Sequence, residues 1–417
     1  MTTSTPPPSG YRAGDGLPAA AQSREALYHS GFANNMRAAL QDLRARFGPL
    51  APVDVTPGTA ATLVIGYRDA LRVLADPGCS ADPRAWQARA QRSCPELAWR
   101  PDALHSAGDE HTRLRRAVVT ALGQVDQKAL RDKAASRAAA WISSFSDVGR
   151  ADLLGHFAIP VVIDLVHDLL GLPEQAAAQA YRAIMALRGA VGPAEVERGH
   201  QMLVEAMEHT VAAKRDAPGR DVTSWLIEAT DSLDSGTEPH QLAMLYSMAT
   251  QPVWNLIANT LLLLMTDDKF GGDMLGGALS IRDGIDEVLF TNPPLATACP
   301  RFPTGMKIIA DTQVPEREPV LISLAGCHTD PEIENAGGES LRGNRSYLSF
   351  GAHLHECPEP AKQIALVIAG TCLDELMDTL PEIALAQPAE QMQWLPGAIH
   401  RGLALLPAVF PPMPSHP

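Results

Sequence analysis

No two cysteines in this 417-residue chain are spaced as C-x-x-C, and none has the cysteine–histidine spacing of a metal finger. Cys79, Cys94, Cys299, Cys327, Cys357 and Cys372 are scattered, as free thiols are in a reducing cytoplasm. Basic residues are few. The 34 Lys and Arg against 48 Asp and Glu give a formal net charge of −14, which argues against a nucleic-acid partner. Long apolar runs are missing too. The longest, near Leu256 to Met265, is interrupted by Asn259 and too short to span a bilayer, so no membrane role is expected. The opening MTTSTPPPSG is polar and proline-rich, unlike a signal peptide, and residues 1–20 read as a disordered tail. Repeats and linkers are absent, so 21–417 is expected to form one domain. A hydrophobic share of 46% is enough for a large core.

The periodicity is mostly helical. A helix is expected over 25–47, ended by Gly48-Pro49, and then a hairpin over 50–67 around Pro57-Gly58. A short helix follows at 68–75. Residues 84–108 are irregular, with Trp86 and Trp99 either roofing a pocket or tucked onto the core. Residues 127–215 are alanine-rich and helical, broken near Pro160, Gly171 and Gly189. A long helix over 239–265 is apolar nearly all round in its second half, so it is buried, and Pro252 must kink it.

The most informative stretch is Phe350-Gly351-Ala352-His353-Leu354-His355-Glu356-Cys357-Pro358. It lies between an extended run, 346–350, and a helix over 360–376. A cysteine just before a helix N-terminus feels the positive end of the dipole, which favours thiolate. Such a thiolate can ligate a metal or heme iron. The plain alternative is a buried free cysteine.

Phe350, Gly351, His355 and Cys357 match FGxGxHxCxG in register, and the stretch resembles the heme loop of cytochromes P450. His353 and Glu359 replace two glycines of that pattern. Other strings resemble the family in chain order over about 35–410: GYRDALRVLADP, GDEHTRLRRAV, PGRDVTSWL, the Asn255–Asn259 segment, EPVLISL with HTDP, and the C-terminal run from Trp394 to Pro407. The resemblance implies a mainly α fold with minor β, the cytochrome P450 fold, a helical bundle around heme with small β-sheets. It implies heme b (iron protoporphyrin IX) as cofactor, with Cys357 as axial iron ligand and Phe350 and His355 in the heme loop. His111, Arg115 and Arg301 would hold the heme propionates. Trp86, Met248, Ala249, Leu295, Ala296 and Leu395 stand at pocket positions, with ordinary core packing as the alternative for each. The implied activity is oxidation of a small molecule by a monooxygenase, with a ferredoxin-type redox partner.

Three departures bear on the chemistry. Where the family has an acid and a threonine that organise proton delivery, this chain has Gln251 and Pro252. The family's E-x-x-R becomes Glu287-Val288-Leu289-Phe290, so Glu287 is expected to pair with Arg342 or Arg345 instead. Pro358, just after the cysteine, has no N–H to offer its sulfur. These losses resemble a divergent actinobacterial subset of the family. They keep two further readings open: a peroxide-driven oxygenase, and a degenerate heme-binding sensor or interaction protein.

Overall fold

The computed structural model describes residues 24–413 apart from 91, 191, 231–235, 268–278, 317 and 335–344, so the expected tail, 1–20, lies outside the described residues. The expected hairpin is formed by β1 (Leu50–Thr56) and β2 (Thr59–Val64), paired antiparallel. Gly58 closes it at φ 80°, a left-handed conformation that glycine adopts without steric cost. β3 (Thr297–Pro303) pairs antiparallel with β4 (Val320–Ser323), and β4 runs parallel to β2. The two-residue strands Glu25–Ala26 and Cys79–Ser80 complete this six-stranded sheet at its edges.

The opening helix expected over 25–47 does not form as one piece. Glu25–Ala26 is a strand, Ser30–Asn34 a short helix, and only Met36–Phe47 a full helix. The Arg24 guanidinium donates to the Val53 and Ala61 carbonyls and pairs with Glu318 at 3.0 Å. Those ties hold the segment against β1, and pairing with a neighbouring strand overrides local helical preference. Residues 346–350 form no strand either, because their polar groups are taken up by side chains and turns rather than a ladder. Residues 84–108 are irregular as expected, with one helical turn at Arg84–Gln87 and a tight turn at Pro95–Leu97.

Four helices position the candidate site: α1 (Gly108–Leu122), α2 (Glu238–Thr266), α3 (Ile281–Thr291) and α4 (Glu359–Thr379). α2 matches the expected central helix to within a residue at each end. Every residue from Val253 to Leu261 is buried. Pro252 lies inside α2 without ending it, and its missing N–H leaves the Met248 carbonyl without that intrahelical partner. Asn259 Nδ2 donates to the Asn292 and Arg401 carbonyls at 3.0 and 3.3 Å. These bonds fix α2 against the chain leaving α3. Packing of α2 against α3, α4 and the helix Ile159–Leu170 forms the main core. Among the described residues no helix is long and apolar enough to cross a membrane.

Candidate functional site

The loop before α4 is held by its own backbone. Gly351 N–H donates to the Leu348 carbonyl at 2.8 Å, and Cys357 N–H donates to the Phe350 carbonyl at 2.7 Å. Gly351 has φ 73°, a left-handed conformation that favours glycine, and a Cβ there would make a tight 3.3 Å contact with Cys299 Sγ. His353 takes φ 61°, a left-handed conformation that costs a side-chain-bearing residue about 1–2 kcal/mol. Its position is one where the resembling pattern has glycine, and the backbone shows why. Cys357 ends the loop as a half-buried thiol. Burial pushes its pKa up to about 11, against the pull of Lys362 and Arg115. Burial thus works against the thiolate that the helix N-terminus favours.

α1 begins with Asp109 and Glu110 in its first turn, as the dipole favours, and places His111 and Arg115 one turn apart on the same face. The His111 ring lies over the His355 ring with centroids 3.9 Å apart. Arg301 reaches the same place from β3. Its Nη1 donates to the Cys299 and Pro300 carbonyls, while Nη2 is buried with no protein partner. His111 Nδ1 is likewise buried and unpartnered. Burial, then the Arg115 and Arg301 charges, lowers the His111 pKa to about 4. Burial and the same cationic neighbours lower that of His355 to about 3. The structure thus gathers His111, Arg115, Arg301, His355 and Cys357, and Phe350 holds the cysteine N–H.

Gln251 and Pro252 sit mid-way along α2, Gln251 buried and Pro252 half-buried. The neighbouring Thr250 hydroxyl donates back to the Tyr246 carbonyl at 2.8 Å. Trp86 packs on Phe302 at 5.4 Å and on the core beneath the large sheet. Ala296 is buried in that same core. Met248, at 37% exposure, and the half-buried Ala249 show an open face on α2. The buried carboxylate of α3 is Asp286, while Glu287 is half-buried. Arg345 engages Asp286, with Nε 3.3 Å from Oδ2, and Arg342 lies outside the described residues. Sequence reasoning passed over Asp286, Tyr347 and His328. Only the string containing His328 gave a signal.

No family model matches the chain. The cytochrome P450 monooxygenase PikC of Streptomyces venezuelae is 28% identical over 375 residues, covering 88% of each chain. The 6-deoxyerythronolide B hydroxylase of Saccharopolyspora erythraea is 25% identical over 378 residues, covering 86% of this chain and 92% of its own. Among solved structures, CYP154C4 from Streptomyces sp. W2061 superposes with a TM-score of 0.84 at 25% identity, over 93% of this chain and 98% of its own. The tirandamycin C-bound P450 monooxygenase TamI gives 0.81 at 26% identity, over 93% and 100%.

Proposed function

Because this chain belongs to the cytochrome P450 superfamily and has its fold, we propose that it is a heme-thiolate monooxygenase that oxidises a small organic molecule with electrons from a ferredoxin. The observation that carries this reading is the donor set. A half-buried thiol stands beside Arg115, Arg301, His111 and His355, and two buried nitrogens of that set lack protein partners. A group with a metal for the thiol and two carboxylates for the cations fits these residues, and heme b has both. When bound, it supplies the iron-centred redox chemistry.

The chain's own residues would do the rest. Cys357 would hold the iron, with Lys362 and Arg115 favouring its anionic form. Arg301 Nη2, Arg115 and His111 would take the propionates, giving the buried nitrogens their partners. Met248 and Ala249 would line the substrate side of α2. A shallow groove of about 300 Å³ runs beside Arg115, Arg116 and Leu354. The exposed Arg116 gives it a positive charge that suits an acidic ferredoxin docking near the cysteine loop. All six cysteines are free, in keeping with a cytoplasmic setting.

A peroxide-driven oxygenase is the second reading, favoured by one specific feature. Gln251 has no ionisable proton, Pro252 has neither hydroxyl nor N–H, and the Thr250 hydroxyl is turned to a carbonyl. Hydrogen peroxide brings oxygen already reduced by two electrons together with its protons, so it demands less of such a site. A reduced carbon-monoxide difference spectrum tests the heme-thiolate reading. Turnover with ferredoxin and reductase, compared with turnover on added peroxide, separates the two oxygenases. Stoichiometric heme with neither turnover would point to the sensor reading.

Two expected results follow from the site. Replacing His111, Arg115 and Arg301 together by alanine should speed heme transfer to apomyoglobin. Arg301→Ala should act most strongly, by roughly tenfold or more, because a hydrogen bond to a charged group is worth about 1.5–3 kcal/mol. A parental transfer rate in the triple variant would remove these residues from the propionate role. The second result concerns Pro358→Ala, which gains an N–H beside the sulfur. Drawing charge off the sulfur should raise the heme reduction potential. A potential equal to or below the parent's would show that another donor already does this work.

A further inference from the structure

His328 is buried at 5% exposure, at the end of the short helix that follows β4. It bridges two segments far apart in sequence. Leu348 N–H donates to its Nε2 at 2.7 Å, so Nε2 carries no proton. Its Nδ1–H therefore donates to the Phe290 carbonyl, 2.9 Å away, at the end of α3. Both ring nitrogens are committed, and the two partners dictate the tautomer.

The same two segments meet at three further points. Tyr347 Oη donates to Asp286 Oδ1 at 3.1 Å, Arg345 Nε lies 3.3 Å from Asp286 Oδ2, and Ser349 Oγ donates to the Leu289 carbonyl at 2.5 Å. Arg282, one turn earlier on α3, also holds Asp286 at 3.1 Å. The Phe290 ring, 1% exposed, fills the space between, with its edge to His328 at 5.2 Å and to Tyr347 at 5.4 Å. Residues 345–349 are thus riveted to one face of α3.

These contacts lead to the cysteine by an unbroken chain of bonds. His328 holds Leu348 at its N–H. The Leu348 carbonyl holds Gly351 N–H, and the Phe350 carbonyl holds Cys357 N–H. We propose that His328 is a positioning residue for Cys357 and that, with Asp286, it forms the joint between α3 and the cysteine loop, with an aromatic ring at position 290 where an arginine would otherwise reach. The joint is built from one neutral imidazole and one carboxylate shared among three donors. It accordingly leaves no buried cation to be matched at position 290. The inference rests on the heme-thiolate reading, and its test separates the two.

The experiment uses the heme-loaded protein with variants His328→Leu, His328→Asn and Tyr347→Phe, and Cys357→Ala as control. Two readouts are followed: the share of thiolate-type carbon-monoxide band over time, and hydrogen–deuterium exchange in residues 345–357. Leucine keeps the volume but makes neither bond. Exchange there should quicken by about tenfold, equivalent to about 1.4 kcal/mol, and the thiolate band should decay faster than the parent's. Asparagine keeps a donor for the Phe290 carbonyl, as Nδ1 does, while its oxygen falls short of the Nε2 position, so it should restore both readouts in part. A parental leucine variant, or an asparagine variant as impaired as leucine, overturns the proposal. If the leucine variant does not fold, Tyr347→Phe decides: a faster band decay supports the joint, and parental decay overturns it. If the parent itself shows no thiolate band, the heme-thiolate reading fails, and if Cys357→Ala keeps the band, the ligand is another cysteine and the inference falls with its premise. If the control loses the band while His328→Leu is parental in both readouts, only this inference fails.

Discussion

Replacing Cys357 by alanine is expected to abolish the thiolate-type carbon-monoxide band while the helical fold persists. In the chain itself burial holds the thiol's pKa near 11, so a protonated sulfur is favoured at neutral pH. A coordinated metal reverses that preference outright, because its charge exceeds any local desolvation penalty. The site adds two cations, Lys362 and Arg115, whose fields act on the sulfur in the same direction. Lys362 also pairs with Glu356, so the ammonium is held at the loop. The rival ligand is Cys299. Its sulfur lies close to Gly351, and its φ of 52° places it in an irregular part of β3. Burial raises its pKa as well, and Arg301 alone opposes this. Cys299→Ala is therefore expected to keep the band. The opposite pattern, with loss in Cys299→Ala and survival in Cys357→Ala, would move the iron to β3 and sink the assignment.

The double variant Gln251→Glu with Pro252→Thr is expected to raise ferredoxin-driven product formation by at least about tenfold, the lower end of what a positioned proton donor contributes. Threonine at 252 restores two things at once. Its N–H can reach the Met248 carbonyl one turn back, and its hydroxyl can pass a proton. Glutamate alone is expected to do less, and to destabilise the fold. Position 251 is 7% exposed, and an uncompensated carboxylate there would be costly to ionise. Product formed per dioxygen consumed, measured with a substrate that shifts the heme spectrum, gives the answer. Peroxide-driven turnover of the same double variant should change little. Equal product from parent and variant under ferredoxin would mean that this chain moves protons by water through another route.

Local patterns in the chain were sufficient for several elements. The alternation of 50–64 about Pro57-Gly58, the apolar run of α2, and the turn-then-helix setting of Cys357 all depend on residues within a few positions of each other. His111 and Arg115 share a helix, so their common face was legible from a spacing of four. Where interactions cross the chain, the pattern was silent. The strand at Glu25–Ala26 exists because Arg24 finds Val53, Ala61 and Glu318, partners as much as 294 residues away. Nothing in its own periodicity marks it.

The loss of the arginine at 290 could be read from the chain, but its consequence could not. Of the two arginines weighed for Glu287, Arg345 turns to Asp286, one residue earlier and on the buried side of α3, while Arg342 lies outside the described residues. A carboxylate's neighbour in sequence points about 100° away on a helix, so burial and partner are settled only once the helix has packed. His328 shows the same limit. In the sequence it is one polar residue before Thr329-Asp330-Pro331. Its role appears only when α3, the turn after β4 and the cysteine loop come together. There the two ring nitrogens are claimed by a carbonyl 38 residues away in one direction and an N–H 20 residues away in the other. Spacing along the chain carries the period of a helix or the chemistry of a turn. The matching of buried donors to acceptors is a property of packed surfaces, and only the tertiary structure decides it.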